Sequence, residues 1–167
     1  MDIYSYIILN TKKLIPFFIT IIFSIVSISP IMPNGSEEIA PLLGVISLSF
    51  WIVHKPELLG WFATIIIGIF NDALYGSILG LSCLAALLIR LIILKLLIHK
   101  DQINIFITIS CIGISLIIWL TINSFFNAIL SPNFTNIYII GFQFLVSLII
   151  SPIIVFIQLY LLKKMSI

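Results

Sequence analysis

The sequence predicts an all-α polytopic membrane protein with six transmembrane helices. Of its 167 residues, 62% are apolar and only 8% are charged, which is too little polar surface to cover a water-soluble globule. The apolar runs follow one another closely, and most approach the 20 or so residues that cross roughly 30 Å of hydrocarbon. The chain is therefore interpreted as one integral membrane domain, residues 1–167.

Polar segments separate the apolar runs and define the predicted spans. The spans are 14–32, 39–53, 58–75, 78–98, 103–126 and 137–162, with turn-forming breaks at 33–38, 54–57, 99–102 and 131–136. The first has no Ala-x-Ala-type cleavage site after it, which favours an uncleaved span over a secretory signal. The second is short and is expected to sit among longer neighbours.

The break between the third and fourth spans is inferred from length. As one helix, residues 58–98 would extend about 60 Å at 1.5 Å per residue, twice the hydrocarbon thickness. The chain must therefore turn back, and the segment from Asp72 to Ser77 is the only suitable place. Gly76 supplies a permissive backbone there, while Asn71 and Asp72 are expected to bond backbone groups that a helix end leaves free.

Basic residues indicate the orientation in the membrane. With six spans, all eight of them fall on one side: Lys12, Lys13, Lys55, Arg90, Lys95, Lys100, Lys163 and Lys164. Because such residues concentrate in cytoplasmic loops, both termini are predicted to be cytoplasmic. Glu37, Glu38 and the loop 131–136 then lie outside, and Asp72 lies near the outer end of its span.

Asp72 and Arg90 lie within the spans and need an explanation, because charge in hydrocarbon costs several kcal/mol. For Asp72, a helix-end cap and a functional carboxylate are equally favoured. If it is a cap, asparagine should serve nearly as well, since asparagine also caps helices. Arg90 lies about two turns inside the fourth span, and snorkelling toward the cytoplasm is favoured over a place in a helix interface.

Other polar and helix-breaking residues have structural interpretations. Asn123, Asn127 and Gln143 are expected to form interhelical hydrogen bonds. Pro152 removes a backbone hydrogen bond from the sixth span and predicts a kink that would shape a groove. Gly80 forms a Gly-x-x-x-Gly match with the turn residue Gly76, and its missing side chain is expected to admit a neighbouring backbone.

The sequence carries no signature of catalysis, and we predict neither an enzyme nor a resident cofactor. His54 and His99 have no partners at metal-ligand spacing, and no nucleophile elbow or phosphate-binding loop is present. Cys83 and Cys111 are interpreted as small packing residues within their spans. Nucleic-acid binding is not supported, because the basic residues form no stripe with interleaved aromatics.

One group of residues resembles the pattern of the rod shape-determining MreD family. It comprises Pro41, Trp51 and Pro56, then Gly68-x-x-x-Asp72-x-x-x-Gly76-x-x-Leu79-Gly80, with the late Pro152 in agreement. The resemblance implies a non-enzymatic inner-membrane component of the bacterial cell-elongation complex, which helps to control cell shape and peptidoglycan synthesis. It further implies binding to MreC, which connects MreB filaments to the RodA glycosyltransferase and a penicillin-binding transpeptidase.

The main alternative is the substrate-binding subunit of an energy-coupling-factor vitamin transporter, which has a similar size and six-span layout. Such subunits typically dock their membrane partner through Ala-x-x-x-Ala on the first span. Residues 14–32 contain no alanine, and Thr20 and Ser24 offer only a weak small-x-x-x-small substitute. The adaptor is therefore favoured. A small channel or proton-coupled transporter using Asp72 is weaker still, because one carboxylate provides no relay.

Overall fold

A computed structural model describes residues 3–28, 40–98, 103–130 and 137–165, which are all-helical apart from their connections. The helices are α1 (Ile3–Ile28), α2 (Leu43–His54), α3 (Trp61–Tyr75), α4 (Leu81–Leu97), α5 (Ile105–Leu130) and α6 (Ile137–Met165). The predicted turn around Pro56 is present. The predicted breaks at 33–38, 99–102 and 131–136 lie wholly or largely outside the described residues.

Two helices are long and apolar enough to cross a membrane, Ile105–Ile129 and Ile137–Lys164. The apolar parts of the first three helices are shorter, at Leu14–Ile28, Leu43–His54 and Trp61–Tyr75. The all-helical class is therefore confirmed for the described residues, with six helices of which two reach full spanning length.

The short α2 forms the centre of the bundle. Every residue from Leu43 to Val53 is buried, and the helix packs against α1, α4, α5 and α6. A helix that is apolar on all sides is expected to be enclosed on all sides. Its 12 residues extend only about 18 Å, so α2 is short among longer neighbours, as the sequence predicted.

Small polar side chains join α1 and α2 in an antiparallel pair. The N–H of Leu43, at the start of α2, donates to Ser27 Oγ near the end of α1 (3.0 Å). Further along, the hydroxyls of Thr20 and Ser47 lie 3.2 Å apart. Both pairs are largely hidden from solvent, so these polar groups satisfy each other.

The long α6 runs parallel to α2 and contacts it through polar groups as well. The N–H of Leu42 donates to Ser147 Oγ (3.1 Å), and Gln158 Nε2 donates to Ser47 Oγ (2.5 Å). One serine from α1 and one from α6 therefore hold the start of α2. They perform the capping role for which neither Leu42 nor Leu43 has a suitable side chain.

Pro152 lies within α6, where its missing N–H leaves the carbonyl of Leu148 without its normal helical donor. The hydroxyl of Ser151 donates to that carbonyl (2.8 Å), so the helix continues through the proline. Pro152 itself is exposed on the outside of the bundle. A cleft lies between the end of α5 and the start of α6, far along α6 from Pro152, and the groove predicted at Pro152 stays a prediction.

Basic side chains gather at one end of the bundle because the helices alternate in direction. The exposed basic residues with described side chains are Lys55, Lys95, Lys163 and Lys164, all near the end where α2, α4 and α6 finish. Asp72 belongs to the opposite end, in the last turns of α3. This separation agrees with the charge distribution expected from the sequence. Lys100 lies outside the described residues.

Candidate functional site

The connection between α3 and α4 is organised by the carboxylate of Asp72, which is 1% exposed. Its Oδ1 accepts hydrogen bonds from Ser77 Oγ (2.7 Å) and the N–H of Ser82 (2.8 Å). Its Oδ2 accepts from the N–H of Gly80 (2.7 Å). All three donors belong to the turn or to the start of α4, so Asp72 closes the hairpin on itself.

This carboxylate performs the capping task that the residue before α4 cannot perform. Gly80 occupies the N-cap position and makes no side-chain cap bond, so Asp72 reaches across from α3 to the first N–H groups of α4. A negative charge is also favourable at the positive end of a helix dipole. The structure therefore assigns Asp72 the capping role, one of the two interpretations that the sequence left open.

Gly76 and Gly80 give the turn its backbone. They have φ angles of 61° and 101°, in the left-handed region that glycine adopts without the steric cost of a side chain. At Gly76, the N–H donates to the carbonyl of Asp72 and ends α3, a common helix ending. The turn occupies residues 76–80, a few residues later than the predicted segment 72–77, and the Gly-x-x-x-Gly match lies in this turn, outside any helix interface.

The predicted role of Gly80 in close packing is wrong, and that role belongs to Gly68. A Cβ added at Gly80 would meet nothing within 4 Å, whereas one at Gly68 would overlap the Cα of Cys83 and lie 2.8 Å from its nitrogen. Gly68 therefore lets α3 and α4 approach backbone to backbone. Asn71 was expected to assist the cap, but its buried Oδ1 has no hydrogen-bond partner among the described residues.

Arg90 holds the other connection of α3, the segment between α2 and α3. Its guanidinium donates to the carbonyls of Leu59 and Pro56, the latter at 3.0 Å, and lies 5.0 Å above the centre of the Trp61 ring. The side chain is 5% exposed, so the snorkelling interpretation is wrong. Arg90 lies in an interface, where it satisfies carbonyls of a loop.

We expect Arg90→Lys to lower the free energy of unfolding by about 1–2 kcal/mol, because an ammonium cannot hold two carbonyls in the planar fork of a guanidinium. Thermal unfolding in detergent, followed by circular dichroism, measures the change. The matched control is Lys95→Gln on the same helix, where the side chain is exposed. Equal stability of Arg90→Lys and the wild type would contradict the proposed clamp.

The residues that resemble the MreD pattern do not all lie at one site. Pro41 precedes α2 and its carbonyl accepts the N–H of Leu43 (2.9 Å). Trp51 is completely buried in α2, with its indole N–H unpartnered among the described residues. Pro56 meets Arg90, while Gly68, Asp72, Gly76 and Gly80 meet at the α3–α4 hairpin. Pro152 joins neither group.

Sequence reasoning missed the buried hydroxyl and amide groups that bind α2 to its neighbours. Ser27, Ser47, Ser147 and Gln158 carry most of these contacts, and each is at most 4% exposed. Their helical spacing was the available signal, for example in Thr20-x-x-x-Ser24-x-x-Ser27 on α1. Which partner each hydroxyl meets depends on residues far away in the chain and could not be read from spacing.

A small cleft of about 200 Å³ opens between the end of α5 and the start of α6. It is lined by Leu120, Asn123, Ser124, Asn127, Ile139, Ile140 and Gln143. Asn123 Nδ2 donates within its own helix to Trp119 (2.9 Å), and Gln143 Nε2 donates to the carbonyl of Ala40 (3.0 Å). Ala40 lies in the connection before α2, so neither of these two bonds is the interhelical bond that the sequence predicted.

Asp72 meets only hydrogen-bond donors of its own hairpin, and the described residues contain no group of His, Cys, Asp and Glu able to hold a metal ion. No protein-family model matches the chain, and no curated protein or solved structure matches it.

Proposed function

We propose that this protein is a membrane-embedded adaptor of the bacterial cell-elongation complex, without enzymatic activity, and that it binds MreC. In this proposal all six helices lie in the inner membrane, and both termini are cytoplasmic. Through MreC the protein is connected to MreB filaments, the RodA glycosyltransferase and a penicillin-binding transpeptidase. The resemblance around Asp72 supports the proposed family. The distribution of polar side chains supports the proposed location in a membrane.

The observation that carries the membrane location is that many large apolar side chains are exposed while polar side chains are buried among the helices. Thr64, Ser115 and Gln158 are completely buried, whereas Phe62 and Phe106 are 76% and 82% exposed. In water, so much exposed apolar surface would cause aggregation. In a bilayer the apolar surface is solvated by lipid, and buried polar groups bond to one another because no water is available.

The basic end of the bundle supports the proposed orientation. Lys55, Lys95, Lys163 and Lys164 are exposed at that end, and positive charge in short loops is retained in the cytoplasm. The Asp72 turn then faces the outer side. Outside the helices, the described connections are short, so a partner is offered chiefly helix faces, which suits an adaptor that binds a membrane-anchored protein.

The vitamin-transporter alternative requires a free docking face on the first span, and the structure buries the residues of that face. Thr20 and Ser24 form the only small-x-x-x-small match on the first span, and both are completely buried. Ser24 packs so closely on α2 that a Cβ at Gly44 would overlap its hydroxyl. This face of α1 is already occupied by α2, which favours the adaptor over a subunit that docks through it.

Co-purification tests the proposal. The chain and MreC from the same source are co-expressed, solubilised in mild detergent, and captured through a tag on this chain, with an unrelated polytopic protein as the control bait. We expect MreC to co-elute specifically and in a fixed ratio. Absence of MreC, together with a vitamin retained at near one-to-one ratio, would establish the transporter instead.

A further inference from the structure

We infer that the outer face of α6 lies against lipid acyl chains across the whole hydrocarbon layer, with Tyr138 and Tyr160 at its two boundaries. The inference rests on the membrane location proposed above and adds the depth of α6 and α2 in the membrane. We call this face of the helix the α6 outer stripe. The stripe consists of Tyr138, Phe142, Leu145, Ile149, Ile153, Phe156 and Tyr160.

Exposure defines this stripe. Its members are between 54% and 84% exposed and recur every three or four residues, so they lie along one side of the helix. The other exposed residues between the two tyrosines are Gly141, Pro152 and Ile157. The exposed face therefore carries no charged or amide side chain over this length, and the tyrosine hydroxyls are its only polar groups.

The spacing of the tyrosines matches a bilayer. Tyr138 and Tyr160 are about 33 Å apart along a helix that rises 1.5 Å per residue, against a hydrocarbon thickness of about 30 Å. Tyrosine is enriched at both membrane interfaces because its ring is apolar and its hydroxyl is polar. Lys163 and Lys164 follow Tyr160 after two leucines and are exposed, as expected at the headgroup level.

The two sides of α6 differ in a way that favours lipid over another helix as the occupant of the stripe. Toward the bundle α6 presents Ser147, Ser151 and Gln158, all buried. Helices that pack in membranes use such small or hydrogen-bonding residues. The stripe instead presents branched and aromatic side chains, which keep helix backbones apart and are well solvated by acyl chains.

The placement fixes the depth of the central helix. Ser147, which accepts the N–H of Leu42, lies about 14 Å below Tyr138 along α6, close to the middle of the hydrocarbon layer. The helix α2 therefore starts near the bilayer centre and occupies only the cytoplasmic half. Serine hydroxyls must satisfy its first N–H groups because water does not reach this depth.

Depth measurement by spin labelling tests the inference. Single cysteines at 138, 142, 145, 149, 153, 156 and 160, in a Cys83→Ala, Cys111→Ala background, are labelled with a nitroxide in phosphatidylcholine vesicles. We expect the ratio of oxygen to nickel-chelate accessibility to peak at 149 and to fall toward both ends. A label at Lys95 serves as the water-exposed control.

Three results would overturn the inference. They are uniform access of the nickel chelate along the stripe, immobilised labels that oxygen does not reach, and dipolar broadening at 149 from a second copy.

If the cysteine background does not fold, lysine substitutions in the native chain replace it. Ile149→Lys should then lower the inserted yield about tenfold and Tyr138→Lys much less, and equal losses would contradict the placement. MreC capture is read separately, so failure of the partner proposal leaves this result unaffected.

Discussion

Asp72→Asn is expected to lower the free energy of unfolding by about 2–3 kcal/mol, because one backbone N–H of the α3–α4 hairpin loses its charged acceptor. The carboxylate accepts through both oxygens, and every partner is a donor. An asparagine has one oxygen and one NH₂ group. Whichever way the amide is turned, its NH₂ faces the N–H of either Gly80 or Ser82.

This expectation replaces the one that the sequence suggested. Capping of a helix N-terminus tolerates asparagine when a single oxygen makes the contact. Here the same side chain, which is 1% exposed, holds two backbone N–H groups and a hydroxyl. The capping role is thus the reason that asparagine should fail at this position.

Unfolding in mixed detergent micelles, followed by circular dichroism, measures the effect. Ser77→Ala removes one of the three donors and should cost only about 1 kcal/mol. Glu57→Gln is the matched carboxylate control, since Glu57 is exposed in the segment between α2 and α3, and it should be neutral. If Asp72→Asn is as stable as Glu57→Gln, the two-oxygen cap is not a source of stability.

Gly68→Ala is expected to destabilise the protein by about 3 kcal/mol, because the added methyl group has no space between α3 and α4. Its Cβ would overlap the Cα of Cys83 and lie 2.8 Å from the nitrogen. These are backbone atoms and cannot rotate away, so the two helices must separate. Forced separation of packed elements costs more than a side-chain adjustment.

Gly60→Ala provides the matched control for this prediction. Gly60 begins α3 with φ of −62°, an ordinary value for any residue, and a Cβ there meets nothing within 4 Å. Its substitution should change the free energy of unfolding by less than about 1 kcal/mol. Both variants are unfolded thermally in the same detergent. Similar melting temperatures for the two would refute the close approach of α3 to α4.

Helix length and backbone freedom made part of this site predictable from the sequence. The turn after Asp72 follows from the length of a helix against the thickness of a bilayer, and Gly76 follows from the need for a permissive backbone in that turn. These are local arguments, and they located the turn to within a few residues and gave capping as one of two interpretations of Asp72. They could not say how many donors Asp72 would meet, because two of them come from the start of the next helix.

The roles of Gly68, Gly80 and Arg90 depended on packing. Two glycines in similar sequence contexts differ because one faces the backbone of Cys83 and the other adopts φ of 101°. Arg90 was placed in the correct helix and directed toward the correct end, but its partners Pro56 and Leu59 lie in a connection more than thirty residues earlier. Hydropathy does not identify such partners.

Composition by itself determined that the chain is helical and apolar, and helix length required it to turn back after Asp72. Those properties depend on the transfer of side chains from water and on the rise of a helix, which are sums over residues. Only the tertiary structure decided that α2 is enclosed by four helices, and that Ser27 and Ser147 cap it. Such choices depend on which groups meet across the bundle, since a buried N–H needs one particular acceptor at one particular distance.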